Sequence, residues 1–264
     1  MKENGRPEPT RANYSSAKML ALLELMSVQE QPQRLQELAQ ASGLPPSTVH
    51  RFLSTLQSMG YAAQNEEDGR YFLTFKLCAL ADNIQRSQSL GQIALPYLQR
   101  LSERFGESAN LCVESNLNLM YSEVVPGPQK TLVSQHYIGH IAPMHCTAAG
   151  KLLLMDYSEK RLARFIERKG LPRLTVHTLT DEGAFRQELQ RIRRDGYALD
   201  NEECEIGVRC VAAPVYDYRG RVVAGLSVSG PSLRMTERHI RSCLPFLCET
   251  AQRLSARLGY PAAE

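Results

Sequence analysis

The stretch RLQELAQASGLPPSTVHRFLSTLQSMG, residues 34–60, determines the expected fold of the N-terminal part of the chain. Its apolar residues recur three and four positions apart, which predicts two short helices. Gly43 is typical of the position just past a helix C-terminus, and Pro45 or Pro46 is typical of a helix start. The stretch therefore predicts a helix–turn–helix. Its expected core residues are Leu35, Leu38 and Ala39 in the first helix and Val49, Phe52, Leu53 and Leu56 in the second.

The face of the second helix opposite these apolar residues is polar. It carries Ser47, Thr48, His50 and Arg51 near the helix N-terminus, and no Asp or Glu occurs between residues 38 and 65. A helix of this kind can enter the DNA major groove with its N-terminal residues against base edges. The guanidinium of Arg51 has the fork geometry that pairs with guanine or phosphate. The pattern predicts that these four residues contact DNA, although a helical hairpin with a solvent-exposed polar face has the same spacing.

A hairpin is predicted directly after this stretch, where two strand-like runs flank an Asp-Gly turn. A first helix, capped by Ser15 or Ser16, is expected before it. Helix, helix, helix and hairpin in this order predict a winged helix–turn–helix domain over residues 14–75. The tip of the wing is acidic and its only cation is Arg70, so we expect the wing to add little to phosphate binding.

Composition limits the possible partners and compartments. The 264 residues carry a formal net charge of only +3, and residues 1–76 contain eight basic and eight acidic side chains. A neutral monomer should bind DNA poorly, so we expect a homodimer or a dimer of dimers. Residues 1–13 are expected to be a disordered arm. No signal peptide or apolar membrane span is visible, and the odd number of cysteines without a CxxC pair predicts reduced thiols in a cytoplasmic protein.

The rest of the chain predicts an α+β domain after a linker helix. The linker helix, residues 76–88, either pairs with its copy in a dimer or packs on its own domain. Residues 89–261 then mix helical and strand-like runs, which is typical of an α+β fold with an antiparallel sheet. The predicted strands are 109–114, 119–125, 132–137, 210–216 and 221–229. The predicted helices are 90–105, 149–155, 159–169, 181–194 with Thr180 as its cap, and 236–258.

Two patterns in this domain indicate a small-molecule site. Small residues at 147–150 precede a helix, where backbone N–H groups favour an anion, although small residues often begin helices. Ser227 and Ser229 lie two apart on a strand and so share one face with Gly225. These hydroxyls either line a cavity, within reach of Cys210, or belong to a half-exposed antiparallel strand.

Several separated motifs resemble the IclR-type bacterial transcription regulators. They are SGLPPSTVHRFLSTLQSMGYA and GRYFLTFKL in the first domain, and IGHIAPMHCTAAGKLLL, GYALDNEECEIGVRCVAAPV and GRVVAGLSVSGPSLR in the second. The resemblance covers residues 14–260. It implies an N-terminal winged helix–turn–helix domain and a GAF-like effector domain that binds a small organic acid.

The resemblance also implies which residues bind that acid. The amides of Ala148 and Ala149 would meet its carboxylate, and Met144 would form part of an apolar wall. Some relatives have other small residues at 148 and 149, a difference of little consequence if the backbone makes the contact. The other implied contacts are Asp200, Cys210, Ser227 and Ser229. A carboxylate accepts hydrogen bonds from hydroxyls and repels a second acid, so Asp200 favours a sugar acid or a related keto or hydroxy acid.

These observations predict a DNA-binding transcriptional regulator, most simply a repressor of a catabolic operon, whose operator binding is modulated by the acid. It is not expected to be an enzyme or to need a cofactor. Two alternatives remain open. A metal-responsive sensor would use clustered ligands such as His136, His140, His145 and Cys146, whose spacing matches no zinc signature. A thiol-dependent enzyme would pair Cys210 or Cys146 with His145 as base.

Overall fold

The computed structural model describes residues 14–87, 89–128 and 136–261, and the chain divides into two compact units at the junction of residues 88 and 89. The first unit contains four helices and a two-stranded hairpin among its described residues. In chain order they are α1 (Tyr14–Ser27), α2 (Leu35–Ser42), α3 (Pro46–Ser58), β1 (Ala62–Gln64), β2 (Tyr71–Leu73) and α4 (Lys76–Ser87). This is the predicted winged helix–turn–helix order.

The core of the first unit forms where the apolar spacing predicts it. The α3 stripe Val49, Phe52, Leu53 and Leu56 is buried against Leu22 of α1 and Leu38 of α2. Gly43 follows α2 with φ +66°, a left-handed conformation that an L side chain adopts only under strain. Pro46 is the first residue of α3, where the missing N–H costs no helical hydrogen bond. The chain reversal between α2 and α3 is thus encoded by two residues.

The hairpin is short and is extended by a third segment. Strands β1 and β2 are antiparallel, with Ala62 opposite Leu73 and Gln64 opposite Tyr71. Gln33 adds a bridge to Tyr71, whose N–H and C=O both pair with it at 2.7 and 3.0 Å. This bridge fixes the chain that enters α2 against the wing.

The second unit is an antiparallel sheet between two layers of helices. Its elements are α5 (Leu90–Phe105), β3 (Ser108–Ser115), β4 (Asn118–Val125), β5 (Ile141–Ala142), α6 (Ala148–Met155), α7 (Glu159–Lys169), α8 (Glu182–Asp195), β6 (Ala198–Asn201), β7 (Val208–Tyr216), β8 (Val222–Pro231) and α9 (Glu237–Arg257). The six strands lie in the order β5-β4-β3-β8-β7-β6, and all neighbours are antiparallel. The predicted α+β class is confirmed.

Alternation along the strands separates two cores, one on each face of this sheet. One face, with Leu111, Val211 and Leu226, packs against α5 and α9. The other, with Cys112 and Ala212, packs against α6, α7 and α8. The second core contains the small and polar residues that the sequence analysis singled out, so the candidate site lies between the sheet and α6.

Some local predictions were wrong. Helix α1 already includes Ser15 and Ser16, so neither of them is its cap. Asp181, not Thr180, caps α8, because its side chain accepts the N–H of Ala184 at 2.8 Å and Asp binds a first-turn N–H readily.

The predicted strand 132–137 falls mostly outside the described residues, and its last two residues, His136 and Tyr137, are in no strand. The short strands β5 and β6 were not predicted. Among the residues described, no helix has the length and apolar character needed to cross a bilayer.

Candidate functional site

The N-terminal half of α3 presents a polar surface to solvent. Ser47, His50 and Arg51 are exposed and Thr48 is half-buried, while the apolar stripe of the helix faces the core. Within the described part of the chain, no carboxylate lies within ion-pair distance of Arg51, whose closest aromatic contact is the ring of Phe52 at 5.6 Å. The guanidinium is therefore available for an external anion or base edge.

The wing has a different electrostatic character. Arg70 is held by Asp68 at 3.2 Å and by the carbonyl of Pro32 at 3.1 Å. The neighbouring Glu66 and Glu67 are exposed. A cation that is already paired, next to two free carboxylates, offers little to a phosphate. The weak role predicted for the wing in phosphate binding stays a prediction.

In the second unit, strand register brings the predicted polar residues together. Ser227 on β8 lies opposite Asn110 on β3, and Ser229 lies opposite Cys210 on β7, which in turn lies opposite Asp200 on β6. These residues share the face towards α6, and each is less than 9% exposed. We call Asn110, Ser227 and Ser229 the pocket floor.

The pocket floor is hydrogen-bonded but incomplete. Asn110 Nδ2 donates to Ser229 Oγ at 2.9 Å and to Ser227 Oγ at 3.3 Å. Asn110 Oδ1 is buried and has no partner among the described residues. Turning the amide over would exchange the two atoms and leave the nitrogen without a partner instead. A buried polar atom without a hydrogen bond is costly, so the floor has the hydrogen-bonding capacity for one more polar group.

Helix α6 begins beside the floor because Gly225 allows close approach. A Cβ on Gly225 would lie 2.6 Å from the Cβ of Ala149, so any side chain there would push the helix away. The side chain of Thr147, at the cap position, does not bond the first turn and instead donates to the carbonyl of Pro143 at 2.8 Å. The N–H groups of Ala148 and Ala149 therefore donate no hydrogen bond to a capping side chain. They lie at the N-terminus of α6, a position that favours binding of a carboxylate.

Met144 packs under the first turn of α6. It is buried in the same core, and its carbonyl oxygen would be 2.3 Å from a Cβ on Gly150. The structure therefore brings Met144, the two alanines and the serines to one side of the sheet. Whether they contact a ligand stays a prediction.

Asp200 is the last of the predicted effector-binding residues and lies on β6, at the edge of the sheet. Its Oδ1 accepts the N–H groups of Glu203 at 2.8 Å and Cys204 at 3.3 Å, and Oδ2 bonds no described residue. Burial raises the pKa of Asp200 to about 7, with Glu203 adding to the rise. At neutral pH the carboxyl is therefore present both protonated and ionised, and one oxygen is left for a ligand hydroxyl.

A buried ion pair ties α6 to the loop after β6. Lys151 is 0% exposed, and its Nζ lies 2.6 Å from Glu203 Oε1 and 3.7 Å from Glu188 Oε1 on α8. Its charge is therefore neutralised by Glu203 and Glu188. Glu203 Oε2 has no partner among the described residues. The pair fixes the helix that carries Ala148 and Ala149.

The side chains proposed for thiol chemistry do not form a nucleophilic pair. His145 Nε2 bonds the carbonyl of Pro172 at 3.0 Å rather than a cysteine. Hydrogen bonding to Cys204 and burial raise the pKa of Cys146, and burial raises that of Cys210, so both thiols are held protonated. Across the described ranges, no group of three His, Cys, Asp or Glu side chains is placed to hold a metal ion.

Three residues that the sequence analysis did not assign to the pocket lie on or above its floor. Asn110 lies in an otherwise apolar stretch of β3. A polar amide in such a stretch is the one sequence signal that could have pointed to it. Tyr121 and His136 reach the site only through the fold. His136 Nδ1 lies 3.2 Å from Ser229 Oγ, and its Nε2 lies 3.2 Å from the Tyr121 hydroxyl.

Comparison with known proteins gives consistent matches over both units. The family models that match are the IclR helix-turn-helix domain, at residues 15–66, and the bacterial transcriptional regulator IclR C-terminal domain, at residues 83–256. Escherichia coli XynR, an HTH-type transcriptional regulator, is 34% identical over 94% of this chain and 98% of its own. The E. coli transcriptional repressor IclR is 32% identical over 91% and 88%.

Solved structures show the same similarity. A putative IclR transcriptional regulator from Silicibacter sp. TM1040 has a TM-score of 0.78 at 26% identity, covering 94% of this chain and 97% of that one. Thermotoga maritima IclR has a TM-score of 0.62 at 29% identity, covering 93% and 99%. The relatives are transcriptional regulators rather than enzymes, which supports the prediction that this chain is not an enzyme.

Proposed function

This chain belongs to the IclR family of bacterial transcriptional regulators, and we propose that it is a repressor whose operator binding is modulated by a small hydroxylated organic acid. It is a DNA-binding transcriptional regulator with a helix–turn–helix at its N-terminal end. The names of two relatives, the acetate operon repressor of Salmonella typhimurium at 34% identity and the E. coli repressor IclR, support repression rather than activation.

On the DNA side, the exposed face of α3 supports a direct role. Ser47, Thr48, His50 and Arg51 would meet base edges and phosphates, with Arg51 as the only fixed charge among them. Because residues 1–76 carry no net charge, one copy has a weak electrostatic footprint. We therefore propose that residues 14–75 bind DNA as part of a dimer or a dimer of dimers, with residues 76–88 linking them to the effector domain, residues 89–261.

On the effector side, one observation carries the proposal: the floor beside the α6 N-terminus offers neutral hydrogen-bonding groups and an unsatisfied amide. Asn110, Ser227 and Ser229 carry no charge, and no described Lys or Arg bonds them. The α6 amides can bind one carboxylate, while the ionised form of Asp200 repels a second. This combination supports a monocarboxylic acid with hydroxyl or keto groups, and it disfavours dicarboxylic acids.

The acid can change DNA affinity only by binding one arrangement of the dimer better than another. The DNA half-sites lie at fixed spacing, so a modest change in the distance between two α3 helices removes contacts on one side. This coupling is what the experiment has to detect.

The proposal is tested by ligand screening followed by operator binding. Thermal shifts of the full chain are measured with D-gluconate and pyruvate, with D-glucose as a control without a carboxylate and glutarate as a diacid control. We expect stabilisation by a monocarboxylate only, and a change in operator affinity with the same acid. Ser229→Ala should lose the response while it keeps DNA binding without acid. A normal response in that variant, or stabilisation by glutarate alone, would place the site elsewhere.

A further inference from the structure

We propose that His136 is an internal competitor for the effector, occupying the hydrogen-bonding position above Ser229 and leaving it when the acid binds. The inference rests on the proposed effector site, because it assigns an occupant to that site in the absence of ligand. It adds a residue that neither the motifs nor the family resemblance indicates.

The imidazole is positioned by contacts on both of its nitrogens. Nδ1 lies 3.2 Å from the Ser229 hydroxyl, and Nε2 lies 3.2 Å from the Tyr121 hydroxyl. The ring also stacks on Tyr121 with centroids 4.4 Å apart. His140 stacks on the same tyrosine at 5.4 Å and on His136 at 6.0 Å. His136 thus covers the floor, and its hydrogen bond with Ser229 holds the imidazole there.

This arrangement leaves the floor incompletely satisfied. The imidazole bonds Ser229 but not Asn110, whose second amide atom remains buried without a partner. A bound hydroxy acid can offer several donors and acceptors and so reach both groups at once. Replacing His136 by such a ligand would therefore complete the hydrogen bonding of the floor, which the histidine alone does not.

His136 is also suited to leave. It lies outside every described helix and strand, so among the described residues no helix or sheet hydrogen bonds hold its backbone in place. Burial, with a smaller contribution from His140, lowers its pKa to about 4, so it sits above the floor uncharged at neutral pH. Once in solvent, an imidazole recovers favourable hydration and its ordinary pKa. Within the described residues, its departure breaks two neutral hydrogen bonds and two ring stacks, on Tyr121 and on His140.

The reactivity of two thiols next to the floor shows whether His136 covers it, and no ligand is needed for this measurement. Cys210 contacts Ser229 and Cys112 contacts Ser227, whereas Cys243 lies on the opposite side of the sheet in the α5–α9 core. Methyl methanethiosulfonate, a small neutral reagent, modifies thiols as they become accessible. Modification of each cysteine in the full chain is followed by peptide mass spectrometry.

We expect Cys210 to be modified at least about tenfold faster in His136→Ala than in the unsubstituted chain, because exposure of the thiol no longer requires the two neutral hydrogen bonds of His136 to break. His140→Ala is the matched control, because it removes a ring that stacks on both Tyr121 and His136 but makes no contact with the floor. His136→Gln, which keeps a hydrogen-bonding side chain above Ser229, should restore slow modification. Equal rates in the two alanine variants, or the same acceleration at Cys243, would overturn the proposal.

A second measurement uses D-gluconate as the probe acid in calorimetry. Removing a competitor should tighten binding about tenfold in His136→Ala, whereas removing a ligand contact would weaken it. Weaker binding would therefore overturn the proposal. If no variant binds this acid while the thiol pattern is as expected, the proposed effector class fails and the assignment of His136 as the cover of the floor stands.

Discussion

Replacing Arg51 by alanine tests the DNA-contacting face of α3. The side chain is exposed and has no ion pair within the described residues, so its removal should change the stability of the fold by less than about 0.5 kcal/mol. A bidentate arginine–base contact is worth about 1–3 kcal/mol. A dimer on two half-sites loses two such contacts, so operator affinity should fall by about 2–6 kcal/mol, roughly 30-fold to 3 × 10⁴-fold.

The assay is fluorescence anisotropy with a labelled fragment of the DNA upstream of the gene, repeated over a range of KCl concentrations. If Arg51 contacts only phosphate, binding to all sequences should weaken, and the salt dependence should decrease by about one counterion per copy. If it contacts a base, specific binding should fall while non-specific binding changes little.

Arg70→Ala is the matched control for this experiment. It removes one arginine from the same unit, but that arginine is already paired with Asp68 and the carbonyl of Pro32. We expect near-normal operator affinity. The reasoning fails if Arg51→Ala binds the operator as tightly as the unsubstituted chain, or if Arg70→Ala loses as much affinity as Arg51→Ala.

Three further substitutions test the second unit by thermal or urea unfolding. Lys151→Met should cost about 3–5 kcal/mol because it leaves Glu203 buried and unpaired, and adding Glu203→Gln should recover part of the loss; an additive double variant would contradict this. The folded pKa of Asp200 is raised from 3.8 to about 7, so the folded state holds a proton that the unfolded state loses, and stability from this group falls as pH rises through that window. Asp200→Asn should therefore gain stability relative to the unsubstituted chain as the pH rises from about 4 to about 7, and parallel profiles would show that Asp200 keeps its ordinary pKa. Gly225→Ala should cost about 1–3 kcal/mol by pressing on Ala149, with Ala149→Gly as the compensating change; a neutral effect would mean that α6 can shift freely.

The sequence predicts the first unit well because its signals are local. Val49, Phe52, Leu53 and Leu56 recur at helical spacing and are all buried, and Gly43 ends α2 in the conformation that glycine favours. Their spacing within one helix shows which face is apolar, so their burial can be predicted without knowing what packs against them. Helix caps are harder to predict, because two neighbouring residues can both be suited to the N-cap position, as Thr180 and Asp181 are at α8.

The pocket was predicted only in part, because its geometry depends on long-range pairing. Ser227 and Ser229 share a face by simple alternation along one strand. Asn110 joins them only because β3 pairs with β8 across more than a hundred residues of sequence. His136 is invisible to periodicity, since it lies in no helix or strand. Short strands such as β5 and β6 carry too few residues to show a period of two.

The central claim, that the N-terminal face of α3 meets the operator, is tested most directly by photo-crosslinking. Ser47 is replaced by a photoreactive benzoylphenylalanine, and the full chain is irradiated with labelled operator DNA. The structure predicts a protein–DNA crosslink that excess unlabelled operator abolishes and unrelated DNA does not. Operator binding without any crosslink from residue 47, or a crosslink that both DNAs abolish equally, would contradict it.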